Sequence, residues 1–372
     1  MANDERASGQ SSFFLLELRM NVSREILSPQ IDAIVAEAIA GRIFPGAVVL
    51  VARGDMVLHH AGYGASVYEL DRARLVAPDT LYDIASLTKM FTATAALRLL
   101  DAGLIDLDAP AARYLPELRT EAVLLRHLLT HTSGLDIRLS ALRDAGREQL
   151  WQTVYGLAPA HAPGSRVAYT NVNSLLLGEI VARVSGLPLE RALAELVSEP
   201  LGLRDTQFCP PAELLARIAP TERDEEWRGG LVHGHVHDES AYMLGGVAGH
   251  AGLFSSAADL YRFCRSWLTM PGERAPALLR PATLRLACEN HTPGLSLACG
   301  LGWMIDRPAF MGVAPAGTLG HTGFTGPTMV LAPSQDLIVI VLSNRVYPRR
   351  SPPAQHAATA AIVGAALSYA AS

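Results

Sequence analysis

The sequence predicts an α+β fold in which one sheet is assembled from both ends of the chain and a mostly helical region is inserted between them. Three observations carry that prediction. Two apolar strand signals form a hairpin soon after the start, strand signals return only after about residue 300, and helical patterning punctuated by Pro and Gly fills the middle.

Ile31, Ile34, Val35, Ala38 and Ile39 fall on one helical face, so residues 31–41 read as an amphipathic helix. Gly46–Arg53 reads as a buried strand, Gly54-Asp55 is a turn, and Met56–His60 returns as its hairpin partner. Thr80–Ala85 is extended, and Leu87–Leu100 is helical, ending near Gly103. Leu124–Leu129 closes on the turn Thr132-Ser133-Gly134. Val172–Val184 ends at Gly186, a residue suited to the left-handed stop, with Pro188 just beyond. The late strands are Gly302–Ile305, Gly317–His321, Thr328–Leu331 and, after the turn Pro333–Asp336, Leu337–Leu342. Ala354–Ala371 is an alanine-rich apolar helix. Where a sheet edge meets an inserted domain a cleft forms, a usual place for a small-molecule site.

A chain of 372 residues can bury one large core or two smaller ones. A net charge of −5 gives no basic footprint, so nucleic acid is not an expected partner. No run approaches the ~18 consecutive apolar residues of a membrane span, so no membrane is expected either. Phe13-Phe14-Leu15-Leu16 is closed after four residues by Glu17 and Arg19, and the start, Asn3-Asp4-Glu5-Arg6, lacks the basic opening of a secretory signal. A cytoplasmic protein is therefore expected, with residues 1–19 a loose extension and Met20 a possible alternative start. Cys209, Cys264, Cys288 and Cys299 are far apart and form no C-x-x-C pair, so they read as reduced thiols.

The chemistry starts from a single residue. Of the 31 basic side chains only Lys89 is a lysine, and it stands three residues after Ser86 in Ala85-Ser86-Leu87-Thr88-Lys89-Met90. Arginine stays protonated to about pH 12 and cannot act as a base, whereas a desolvated lysine falls toward neutrality. At a helix N-terminus, free N–H groups and the positive dipole end also disfavour an ammonium. Residues three apart share a helix face, so Lys89 is placed to take the proton of the Ser86 hydroxyl. Alone, the spacing is common. Two more pieces follow in order: Tyr169-Thr170-Asn171 at the start of a helix, and His321-Thr322-Gly323-Phe324 on a late strand. By itself the first would be a packed Tyr169 with Asn171 capping the helix, and the second a strand edge.

Together these residues resemble the serine β-lactamase and penicillin-binding protein superfamily. The likeness is to its class C-like branch, which also holds esterases, D-amino-peptidases and amidases. It covers roughly residues 30–345 and includes the phrases Leu128-Leu129-Thr130-His131-Thr132-Ser133-Gly134-Leu135, Pro200-Leu201-Gly202-Leu203 and Gly300-Leu301-Gly302-Trp303. The resemblance implies a β-lactamase-like fold with an antiparallel sheet, spanning residues 20–372. In it, 20–86 and about 290–372 form the α/β part and about 87–289 the helical insertion. It also implies that Ser86 attacks an acyl carbon while Lys89 and the Tyr169 phenol relay protons, and that Asn171 holds the substrate amide or the lysine. The N–H groups of Ser86 and Phe324 would form the oxyanion hole, with His321, Thr322 and Gly323 on the substrate. Water would then release the acyl group, deprotonated by Tyr169. No cofactor is implied.

The departure from the branch is His321, which stands where the third motif, K-T-G, carries lysine. A largely neutral imidazole offers no permanent cation to a carboxylate, and so suits esters or amides lacking one. Leu231–Glu239 adds His233, His235 and His237 at alternate positions, which could point one way as metal ligands do. The alternative is a glycine-rich loop in which His237-Asp238 walls the cleft, with no metal. This stretch and Gly245–Gly252 resemble a subgroup that acts on cell-wall fragments, including a muramyl-L-alanine amidase and a penicillin-binding protein with weak carboxypeptidase activity.

The expected protein is thus a serine hydrolase acting through acyl-Ser86 on small or muropeptide-like esters or amides, as a monomer or homodimer. A class C-like β-lactamase or D-alanyl-D-alanine carboxypeptidase, and a non-catalytic binder of β-lactams or cell-wall fragments, stand as the alternatives.

Overall fold

Strand β1 (Gly46–Arg53) is apolar and buried up to Ala52 because both of its faces are covered. Val48, Leu50 and Ala52 enter the large core shared with the helices, while Ala47, Val49 and Val51 enter a second apolar cluster on the opposite face. The computed structural model describes residues 27–370 apart from Leu70, residues 269–277, Ser351 and Pro353. The expected extension at 1–19 and the start at Met20 lie outside the described residues.

The main sheet adds β2 (Met56–Gly64), β3 (Met304–Ile305), β4 (Leu319–Thr322), β5 (Thr328–Ala332) and β6 (Leu337–Ser343) to β1. Its order is β2-β1-β6-β5-β4-β3, and every neighbouring pair is antiparallel. The two ends of the chain meet at its centre, where β1 pairs with β6 from Ala47↔Ser343 to Arg53↔Leu337. The α+β fold is what the two clusters of strand signals imply, and the antiparallel sheet is what the family resemblance implies.

Helix α1 (residues 27–40) lays Leu27, Ile31, Val35 and Ala38 on the second cluster. On the other face, helix α2 (Thr88–Asp101) is buried along almost its whole length. It packs between the sheet side of the core and helix α3 (Asn171–Ser185). Helix α4 (Ala257–Leu268) also covers that face of the sheet, through Leu260, Phe263, Cys264 and Trp267. Helix α5 (Gln355–Ala370) brings Ile362, Val363 and Ala366 to the face opposite, beside α1.

Two features differ from the reading of about 87–289 as one helical insertion. The chain there contains short strands: Gln207–Phe208 and Leu253–Ser255 join Tyr82–Asp83 in a three-stranded sheet, and Arg223–Asp224 pairs with Gly230–Leu231. Strands of two or three residues are too short to carry a period-two pattern. The second feature is α4, which lies within that stretch yet packs on the sheet through Leu260, Phe263, Cys264 and Trp267.

Candidate active site

Three element ends converge: the start of α2, the start of α3 and the end of β4. Ser86 sits in a tight turn, Ala85–Leu87, that runs straight into α2. Ala85 has φ +45°, a left-handed backbone unusual for a residue with a Cβ. The buried Asp83 carboxylate holds it there, with Oδ1 accepting the Ala85 N–H at 2.8 Å and Oδ2 the His237 N–H at 2.6 Å. Burial pushes the Asp83 carboxyl up from its ordinary range, against the pull of those two N–H groups. Across the turn, Gly323 lets the end of β4 approach closely. A Cβ there would lie 2.6 Å from the Ile84 carbonyl oxygen and 3.4 Å from Ala85 Cβ. Ser86 and Phe324, each next in sequence to one side of that contact, both line the cleft.

Lys89 is 3 % exposed, and its Nζ lies 2.9 Å from Ser86 Oγ, 2.9 Å from Asn171 Oδ1 and 3.1 Å from the His250 carbonyl oxygen. Burial lowers its pKa to about 7, with the negative charge of Asp238 working the other way. A neutral amine has two N–H donors and one lone pair. Two carbonyl-type oxygens take both donors, which leaves the lone pair for the Ser86 hydroxyl. The His250 carbonyl can come this close because Gly249 touches α3 at Gly178. A Cβ on Gly249 would lie 2.2 Å from Ser174 O and 2.9 Å from Gly178 Cα.

Tyr169 and Asn171 enter from the start of α3. The helix cap is Thr170, whose Oγ1 accepts the Val172 N–H. Asn171 is therefore not the capping residue, and its amide is free to reach Lys89 and, through Nδ2, Asp238 at 3.3 Å. The Tyr169 ring lies 5.1 Å from Lys89 Nζ and is packed by His131 at 4.6 Å and His321 at 5.9 Å. By area Tyr169 is 44 % exposed, since its ring forms a wall of the cleft. Its phenol nevertheless lies deep among protein atoms, which raises its pKa well above 10 despite a hydrogen bond with Ser86. Near neutral pH the phenol keeps its proton, so a tyrosinate acting alone on water is disfavoured.

The cleft between these ends has a volume of about 830 Å³, and Thr322, Gly323 and Phe324 line it. His321 does not. Strand alternation turns its side chain inward beside Met329, where it is 1 % exposed and lines a separate small cavity behind Tyr169. Its Nδ1–H donates to the Thr322 carbonyl at 3.0 Å, and burial lowers its pKa to about 3. The imidazole is neutral, as the sequence implies, but direct contact with a substrate in the cleft is corrected to contact with Tyr169.

His233, His235 and His237 do not converge. His233 Nε2 bonds the Ile218 carbonyl at 2.9 Å, His235 is exposed beside Tyr242, and His237 Nε2 meets Glu222 Oε2 at 2.8 Å. Among the described residues no group of three or more His, Cys, Asp or Glu side chains is arranged to hold a metal. His237, Asp238 and Glu239 do line the cleft, and His237 stacks on Phe324 at 5.6 Å. Arg345 and Arg350 also line it, their guanidinium carbons 4.8 and 5.7 Å from the Phe324 ring centre. Arg350 is tied to Glu222 at 2.7 Å and to Glu239.

Sequence reasoning did not single out Asp83, His131, Arg345 or Arg350. Asp83 lies only three residues before Ser86, and His131 stands in one of the phrases that carry the resemblance, but neither has a spacing that announces a role.

Known proteins resemble this chain in sequence and in fold. The family model for beta-lactamase matches residues 31–363. Esterase EstB of Burkholderia gladioli is 31 % identical over 378 residues, covering 88 % of this chain and 93 % of that protein. A protein of Escherichia coli strain K12, provisionally described as a D-alanyl-D-alanine carboxypeptidase, is 29 % identical over 345 residues, 82 % of this chain and 79 % of that one. Among solved structures, EstCE1, a hydrolase with promiscuous acyltransferase activity, superposes with a TM-score of 0.76 at 23 % identity, covering 93 % of this chain and 99 % of the other. The chain belongs to the beta-lactamase family and is a serine hydrolase.

Proposed function

We propose that the protein hydrolyses ester or amide bonds of small or cell-wall-derived, muropeptide-like compounds through an acyl-enzyme on Ser86. The observation that carries this reading is the environment of Lys89: a buried amine near pKa 7, both N–H groups engaged, and Ser86 Oγ 2.9 Å away.

In the first half-reaction Ser86 Oγ bonds to the acyl carbon as its proton passes to Lys89. The N–H groups of Ser86 and Phe324 receive the developing oxyanion, and the leaving group departs with a proton relayed through the neutral Tyr169 phenol. In the second, water attacks the acyl carbon and gives its proton through Tyr169 to Lys89, and as the bond from the acyl carbon to Oγ breaks Lys89 returns a proton to Ser86. Lys89 is the terminal base in both halves, and Tyr169 the conduit. Asn171 fixes the amine, and Thr322 and Gly323 shape the cleft floor.

The neutral, inward His321 favours substrates that need no cation in the third motif. The second reading, a class C-like β-lactamase or D-alanyl-D-alanine carboxypeptidase, is favoured by the E. coli relative. It requires another positive group for the substrate carboxylate, and Arg138, Arg345 and Arg350 are arginines that line the cleft. A non-catalytic binder has no use for a desolvated amine on a serine.

No single helix among the described residues is long and apolar enough to cross a membrane. The reading takes the enzyme as cytoplasmic, acting on imported or recycled fragments as a monomer or homodimer; cell fractionation and gel filtration test both points. Mass spectrometry after exposure to a reactive ester should find one adduct on Ser86. Parallel assays of a nitrophenyl ester, muramyl-L-alanine and a chromogenic cephalosporin rank the substrates. Dominant cephalosporin turnover would favour the second reading.

A further inference from the structure

Behind Lys89 lies a closed circuit of hydrogen bonds that the reaction scheme does not use. Lys89 Nζ donates to Asn171 Oδ1, and Asn171 Nδ2 donates to Asp238 Oδ2 at 3.3 Å. Asp238 Oδ1 receives His250 Nε2 at 3.1 Å, and the His250 carbonyl receives Lys89 Nζ at 3.1 Å. The circuit therefore returns to its starting atom. Ser240 Oγ at 2.6 Å and the Ala241 N–H at 2.9 Å also donate to Asp238 Oδ1, and the Ser240 hydroxyl lies 2.9 Å from His250 Nε2.

Asp238 thus receives donors from four different residues, which is what keeps a carboxylate charged in a desolvated place. Burial pushes its pKa up, but the His250, Ser240 and Ala241 donors outweigh it and hold the group well below the ordinary carboxylate range. The other titratable groups around Lys89 carry no opposing charge. Tyr169 is a protonated phenol, and His131 and His321 are both held neutral by burial. Asp83 and His237 stand beyond Asp238, and Asp83, His237 and Glu222 form their own bonded set. Asp238 is the negative charge that acts on Lys89 through a single intervening amide.

We propose that Asp238, locked by His250, is a positioning residue that sets the basicity of Lys89 through Asn171. It keeps the amine from falling too far below neutrality to accept a serine proton, and it fixes which N–H directions the amine uses. The inference rests on Lys89 being the base of the proposed reaction.

The lone lysine makes a direct test possible, because full-length protein grown with ε-carbon-labelled lysine gives a single lysine NMR signal whose shift reports the amine titration. In the unaltered protein the midpoint is expected near 7. Asp238→Asn and Asp238→Ser both keep an oxygen to cap the Glu239–Met243 helix while removing the charge. Each should lower the midpoint by about one pH unit, with the acid limb of kcat/KM for a nitrophenyl ester moving the same way. An unmoved or raised midpoint in both folded variants would overturn the role of Asp238. An ordinary midpoint near 10 in the unaltered protein would instead sink the parent reading of Lys89.

Discussion

Asp83 ties the turn before the nucleophile to the opposite wall of the cleft, one carboxylate oxygen on the Ala85 N–H and the other on the His237 N–H. The Thr325 hydroxyl adds a third tie by donating to the Asp83 carbonyl at 2.7 Å. One residue therefore holds the left-handed Ala85 and the His237 wall through its side chain, and the loop after β4 through its backbone carbonyl.

Replacing that side chain should loosen the first two ties, while the Thr325 bond to the backbone carbonyl stays available. Asp83→Asn keeps the shape but turns an N–H donor toward one of two buried N–H groups, which should cost about 1–3 kcal/mol of stability. A urea melt reads the loss, and at temperatures where the variant is folded kcat should fall more than KM rises. An unchanged melting profile would mean that the tie is dispensable.

Lys89 should set the acid limb of activity. Its folded-state pKa of about 7 means that the amine is protonated and useless as a base below that pH and free above it. Consequently kcat/KM should rise with pH through about 7 and then level. Lys89→Arg should be inactive by roughly 10³-fold or more at every pH tested, since a guanidinium does not deprotonate in that range. Activity rising instead as pH falls would contradict the assignment.

Gly323 offers a steric test of the oxyanion hole. Gly323→Ala puts a Cβ 2.6 Å from the Ile84 carbonyl, so the strand end must move away from Ser86. The expected result is a fall in kcat of roughly 10²–10³-fold, the usual loss for one misplaced donor, measured at temperatures where the variant is folded, since the backbone shift also lowers the melting temperature. A fully active alanine variant would place the oxyanion donors elsewhere.

His321 should separate binding from catalysis. Because its ring packs on Tyr169 and does not line the cleft, His321→Phe should leave KM for a neutral ester within about twofold. It should lower kcat by about tenfold, because a misplaced relay group acts only in the transition state. A large rise in KM with kcat intact would mean that the imidazole meets substrate after all.

Chelation gives the last check. His233, His235 and His237 each have a separate environment, so dialysis against EDTA should leave ester hydrolysis unchanged. Loss of activity restored by one metal ion per chain would return those histidines to consideration.

Much of this protein can be read along the chain. Runs such as Gly46–Arg53 and Leu337–Ser343 announce buried strands because apolar content and length are local properties. Ser86, Lys89 and the Tyr169–Asn171 group stand out because their spacing is short and the lysine has no rivals in composition. Folding alone decided what lies between those markers. The direction of His321 follows from its register against Met329, and the role of Asp83 from two N–H groups, one of them 154 positions away. The ring through Asp238 and His250 exists because Gly249 can touch Gly178. Such contacts join residues distant in sequence, and their energies depend on burial and angle, which no local pattern encodes.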